Sequence, residues 1–294
     1  MANYDMFKGT GAAIVTPFKK DGQIDFNALG KLVNHIINGG VNYIVALGTT
    51  GESVTLNKDE KKDIIECVID SAKKRAPVVL GHGGNNTNEL VKNFTNYDYK
   101  NISAVLSVSP YYNKPSQEGI FQHYKTIAKE SPRPVILYNV PGRTMSNMTA
   151  DTTLRLANEV DNLVGMKEAS GNMDQIMKII KNKPKNFLLI SGDDTITLPI
   201  IACGGEGVIS VVANAYPKFS EMVRQALADN NKKAQELHYK HSDIIELMFA
   251  DGNPAGVKEF LSVLGICETY VRLPLVRVNK TVQDKIKLAA KAYK

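Results

Sequence analysis

A chain of 294 residues, 43% apolar and 22% charged, is long enough to bury a substantial core as one large α/β unit or two smaller ones. No apolar run approaches the roughly 20 residues of a membrane-spanning helix, and the opening MANYDMFKGTG lacks the charged and apolar regions of a secretory signal. The net charge of +6 is dispersed among acids, as in KDEKKDIIE, and not gathered beside aromatics, which argues against a nucleic-acid partner. Cys67, Cys203 and Cys267 are far apart with no CxxC pair, so neither a disulfide framework nor a zinc knuckle is expected, and the compartment expected is the cytoplasm.

Eight short, β-branched apolar runs succeed one another: GAAIVTPF (11–18), VNYIVALG (41–48), APVVLGHG (76–83), SAVLSVSP (103–110), PVILYNV (134–140), LVGMKEAS (163–170), FLLISG (187–192) and GVISVVAN (207–214). Each is nearly continuous in apolar residues, as parallel strands covered on both faces are. Amphipathic segments lie between them. DFNALGKLVNHIIN opens on a cap at Asp25, and NKDEKKDIIECVIDSAKK carries acids early and lysines late. Eight such units predict a closed (β/α)8 TIM barrel. An open doubly wound sheet is the runner-up, but no strand precedes GxGxxG, and GHGGNN at 81–86 fails that spacing.

Strand signals cease after about residue 229. KKAQELHYKHSDIIELMF has helical period, NPAGVKEFLSVLG offers Asn253 as a cap and Pro254 as first helical residue, and Val282, Ile286, Ala289, Ala290 and Tyr293 recur at helical spacing. The expected organisation is a barrel over 1–229 and a C-terminal helical extension over 230–294.

Catalytic groups of this fold sit where strands end and loops begin. GTTGES (48–53), SPYYNKPSQEG (109–119), YNVPGRT (138–144), KEASGN (167–172) and SGDD (191–194) bring hydroxyls, phenols, an arginine and a lysine to one rim. Lys167 closes an apolar strand. Desolvation there disfavours the ammonium, and a neutral amine is a nucleophile toward a keto group. Its ordinary alternatives are snorkelling to solvent or pairing with Glu168. Tyr138 ends the preceding strand, so both face one cavity, where a phenol can give and take protons. Thr49 and Thr50 either hold a small carboxylate and relay a proton or cap a helix. Arg143 either grips a carboxylate bidentately or is a loop arginine.

Together GTTGES, SPYYNKPSQEG, YNVPGRT, GMKEASG and SGDD with GGEGVISVVAN resemble the dihydrodipicolinate synthase family of pyruvate-dependent class I aldolase-type lyases, within the N-acetylneuraminate lyase superfamily. The likeness runs from GTGAAIVTPF to NPAGVKEFL. It implies condensation of pyruvate with L-aspartate 4-semialdehyde in the diaminopimelate route to lysine, with no cofactor and a homotetramer of two tight dimers. By resemblance Lys167 forms the Schiff base and Tyr138 shuttles protons. Thr49 links Tyr138 to Tyr112 of the neighbouring subunit, and Thr49 and Thr50 hold the pyruvate carboxylate. Arg143 receives the semialdehyde, and Gly192 and Ile209 contact pyruvate through backbone groups. Sugar-acid lyases of the superfamily, the alternative reading, lack the arginine of GRT.

The same resemblance implies a lysine-feedback site at Ser53, Val54, Lys58, Lys61, Asn85, Glu89 and Tyr111. Lys58 and Lys61 stand where some lysine-inhibited members carry histidines, and two ammonium groups repel a cationic effector. Weak or absent inhibition by lysine is therefore expected. Of the five histidines only His238 and His241 are close, away from the rim, so no metal site is expected. CGGEG at 203–207 precedes the last strand and so fits a phosphate grip poorly.

Overall fold

The computed structural model describes residues 4–293. The apolar runs become short strands: β1 (Gly9–Ala13), β2 (Tyr43–Ala46), β3 (Val78–Gly81), β4 (Ala104–Val108), β5 (Val135–Asn139), β6 (Leu163–Glu168), β7 (Leu188–Ser191) and β8 (Gly207–Ser210). They pair in parallel in chain order, and β8 returns to β1 to close the expected (β/α)8 barrel. The first strand lies earlier than GAAIVTPF suggests. Its ladder stops because Val15 N donates to the Asn214 side chain at 3.0 Å and Pro17 has no N–H to offer.

Strand side chains alternate between two apolar layers. Val45, Val79, Leu106, Ile136, Ile190 and Ile209 fill the lumen, whereas Val105, Val135, Leu137, Met166 and Leu189 face the surrounding helices. Those helices are α1 (Phe26–Asn38), α2 (Lys58–Ala72), α3 (Thr87–Asn93), α4 (Gln117–Glu130), α5 (Pro141–Thr144), α6 (Ala150–Glu159), α7 (Met173–Asn182), α8 (Thr197–Ala202) and α9 (Phe219–Leu227). Polar caps start many of them. Asp25 Oδ1 accepts from Ala28 N at 2.9 Å, and Asn57 and Glu60 form a reciprocal capping box on α2.

From residue 230 onward the chain forms α10 (Asn231–Phe249), α11 (Ala255–Val263) and α12 (Lys280–Ala292). These helices share the apolar cluster of the first and last barrel helices: Ile245, Met248, Phe260 and Ile286 join Leu32 and Ile36 of α1 and Phe219 of α9. Asn253 does not cap α11. Pro254 occupies the cap position, one residue later, and the buried Asn253 amide reaches back to the barrel mouth instead. Among the described residues no helix is long and apolar enough to cross a membrane.

Candidate active site

Tyr138 and Lys167 are register partners on β5 and β6. A break in register aims the lysine inward. Leu163 pairs with Val135 and Gly165 with Ile136, so Val164 is an extra, bulged residue. Strict alternation would place Val164 and Lys167, three apart, on opposite faces. With the bulge, Val164 joins the luminal cluster, Met166 faces the helices and Lys167 turns into the lumen beside Tyr138. Its Nζ lies 4.2 Å from the Tyr138 ring centroid, and its residue is only 6% exposed.

Neither ordinary fate of that lysine is met. It does not snorkel, and Glu168, the next residue, points out of the barrel. There its carboxylate accepts from Asn139 Nδ2 at 3.1 Å, Ser170 N at 2.6 Å and Gln175 Nε2 at 3.1 Å. Burial pushes the Glu168 carboxyl above its usual range, opposed by the hydrogen bonds from Ser170, Asn139 and Gln175. Behind Lys167, Gly192 N donates to Glu168 O at 2.7 Å, and a Cβ at Gly192 would stand 3.0 Å from Lys167 Cε. Glycine leaves the room the lysine needs. Ile209 is buried in the luminal wall.

The loop after β2 is held in an uncommon shape. Leu47 and Glu52 both take left-handed backbone angles, with φ of 59° and 53°, and Thr49–Gly51 forms a tight 3-10 turn between them. Thr50 is buried, its hydroxyl oxygen accepting from Asn253 Nδ2 at 3.0 Å, while Thr49 is exposed at the rim. Within the chain, no hydrogen bond joins the hydroxyls of Thr49, Tyr138 and Tyr112 among the described residues. Tyr112 is 83% exposed with φ of 74°, a conformation that a bulky residue adopts only when its surroundings impose it. Arg143 follows β5 on the single turn α5, exposed, its guanidinium without a partner among the described residues.

Of the residues expected to bind lysine, Asn85 Nδ2 donates to Tyr111 O at 3.3 Å, and Lys61 lies close enough to Glu89 to feel its charge. Burial holds the Lys61 ammonium below its usual range, with Glu89 opposing. Val54, Lys58, Asn85 and Glu89 are exposed, while Ser53 and Tyr111 are half-buried. His241 is buried against Phe219 and Tyr293, far from any ligand set; among the described residues no cluster of three His, Cys, Asp or Glu side chains could hold a metal ion.

The Dihydrodipicolinate synthetase family model matches residues 6–293. The chain belongs to this family. It is 56% identical over 286 residues to the 4-hydroxy-tetrahydrodipicolinate synthase of Flavobacterium psychrophilum, covering 97% of this chain and 98% of that one. It superposes with a TM-score of 0.94, at 40% identity, on the chloride-inhibited dihydrodipicolinate synthase of Acinetobacter baumannii complexed with pyruvate, covering 97% and 98% of the two chains. With the Cyanidioschyzon merolae enzyme with lysine bound, the TM-score is 0.93 at 35% identity, over 98% and 99%.

Several residues that build this rim escaped sequence reading. Glu52 is buried and accepts from Lys258 Nζ at 2.6 Å, and Asn253, a helix-cap signal in the sequence, donates to Thr50 Oγ1 instead. The signal available was Lys258 itself, a charge within the apolar helical run AGVKEFLSV and fully buried in the structure. A buried lysine demands an acid, and the nearest in space is 206 residues away in sequence.

Proposed function

We propose that the protein condenses pyruvate with L-aspartate 4-semialdehyde through a Schiff base on Lys167. The observation that carries this reading is a luminal amine, shielded from solvent, with no carboxylate partner among the described residues and a phenol across the same face. The free amine attacks the keto carbon of pyruvate, and Tyr138 passes a proton to the departing hydroxyl, so that water leaves and the iminium forms. The cation draws electrons from the methyl carbon, which loses a proton to give the enamine. That carbon attacks the aldehyde of the second substrate. The substrate's own amine then displaces Lys167 and closes the six-membered ring. One water is released overall, and the lysine is regenerated.

In this reading Thr49 and Thr50 hold the pyruvate carboxylate, Gly192 and Ile209 line it, and Arg143, with its guanidinium unengaged, takes the carboxylate of the semialdehyde. The relatives described above carry the synthase name and not that of a sugar-acid lyase, and Arg143 suits the smaller substrate. Exposed Tyr112, on imposed backbone geometry and bonded through its N–H to Thr144 O next to exposed Met145, supports a second copy packing on this rim and completing the proton chain with Thr49. We place the reaction in the cytoplasm, in a homotetramer of two such dimers. The lysine-feedback role of Ser53, Val54, Lys58, Lys61, Asn85, Glu89 and Tyr111 belongs to the same reading.

The test is borohydride reduction in the presence of pyruvate, followed by peptide mass analysis. A stable adduct on Lys167, absent from a folded Lys167→Ala variant, supports the proposal; an adduct elsewhere or none refutes it.

A further inference from the structure

The extension touches the GTTGES loop at two points, neither of them needed to close the barrel. Lys258 on α11 is fully buried. Its ammonium donates to Glu52 Oε1 at 2.6 Å and to Tyr270 O at 2.7 Å, and lies 4.3 Å from the Phe18 ring centroid. The other Glu52 oxygen accepts from Arg272 N at 3.0 Å, and the Arg272 guanidinium ties down Thr55 O at 2.9 Å and the Glu60 carboxylate. Asn253, only 8% exposed, donates to Thr50 Oγ1 at 3.0 Å.

A buried ion pair is a poor device for stability alone, because desolvating both charges offsets most of their attraction. This one has a geometric consequence. Leu47 and Glu52 bracket Thr49–Thr50 in left-handed conformations that non-glycine residues keep only when neighbours over-determine them. Lys258 and Arg272 N grip one end of that bracket. Asn253 acts on the hydroxyl itself: once Thr50 Oγ1 has accepted from the amide, its single hydrogen is left to be donated elsewhere.

We propose that the C-terminal extension is part of the active-site apparatus, with Asn253 and the Lys258–Glu52 pair as positioning residues that hold Thr49 and Thr50 ready for the ketoacid carboxylate. The inference rests on the Schiff-base reading above. It assigns the extension to ground-state binding of the ketoacid and not to the chemistry at Lys167.

Borohydride trapping across a pyruvate titration separates the two. Asn253→Ala should raise half-saturating pyruvate about tenfold, as the Thr50 hydroxyl loses its fixed aim at the ketoacid carboxylate, with the saturated trapping rate within about twofold of wild type. The charge-free pair Glu52→Gln with Lys258→Met leaves no uncompensated ion and should show the same split. In a Thr50→Val background, Asn253→Ala should have no further effect, because its route to the substrate is gone. Unchanged half-saturation in Asn253→Ala overturns the proposal, as does an undiminished effect in the Thr50→Val background. Loss of folding in the charge-free pair overturns the positioning role of Lys258 and Glu52, making them a prop of the fold. Absence of any wild-type adduct would overturn the Schiff-base reading itself, a result distinct from all of these.

Discussion

Gly192→Ala adds one methyl group at the back of the reactive lysine. The added Cβ would stand 2.7 Å from Ala169 Cβ, 3.0 Å from Lys167 Cε and 3.1 Å from Glu168 O. Carbon atoms rest at roughly 3.5–4.0 Å, so the carbon neighbours must retreat by about 0.5–1.3 Å. Two of the three are anchored: Glu168 O accepts from Gly192 N at 2.7 Å, and Ala169 N donates to Asn139 O at 2.9 Å. The unbranched lysine chain is the softest partner, so it takes most of the displacement, moving its amine off the Tyr138 face. The φ of Gly192 is outside the left-handed region, so contact alone sets the cost. Overpacking by one methyl costs about 1–3 kcal/mol, and at about 1.4 kcal/mol per decade this slows imine formation roughly 10- to 100-fold. The assay is single-turnover borohydride trapping at saturating pyruvate, with thermal melting to verify the fold. A variant that melts cooperatively and traps at the wild-type rate refutes the claim that Gly192 makes room for Lys167.

Three further outcomes follow from the same structure. Arg143→Ala should lower semialdehyde turnover by about 10- to 100-fold while pyruvate trapping persists, since a bidentate carboxylate contact is lost away from the imine; equal loss of both activities removes the assigned role. Burial pushes buried His123 down to about 4, with Nε2 unpartnered and Nδ1 at 2.8 Å from Thr87 Oγ1. The unfolded chain therefore binds that proton first as pH falls, and stability drops between about 6.5 and about 4, by up to about 3 kcal/mol; urea midpoints at pH 7 and 4.5 should differ less in His123→Gln than in wild type. Inhibition by lysine should be weak near neutral pH and strengthen as pH rises, because the half-buried Lys61 ammonium loses its proton early and its repulsion of the effector with it; strong inhibition at low lysine and neutral pH would contradict this.

What could be read from the sequence depended on the range of the signal. Strand and helix order was legible because apolar periodicity and caps such as Asp25 and Asn57 act within a few residues. The strand that bears Lys167 was legible too, and its end beside Tyr138 pointed to a shared cavity, but the backbone device that turns the side chain inward was not. That direction depends on the extra residue at Val164, and no local composition distinguishes a bulged LVGMK from a regular one. Asn253 misled for the opposite reason. An Asn before Pro is a sound local cap signal, yet the amide is drawn off to a hydroxyl 203 residues earlier. Tyr112 shows a further limit: it is exposed on imposed backbone angles, and its hydroxyl has no hydrogen-bond partner among the described residues of one chain. Local rules thus predict where the rim is, and the motifs suggest what it does. The orientation of each reactive group is decided by contacts between β5 and β6, between the β2 loop and α11, and in the proposed dimer between two copies. Deletion of Val164, which removes the extra residue and restores regular alternation, should therefore do more harm to trapping than Arg143→Ala, although Val164 packs in the luminal cluster and carries no reactive group.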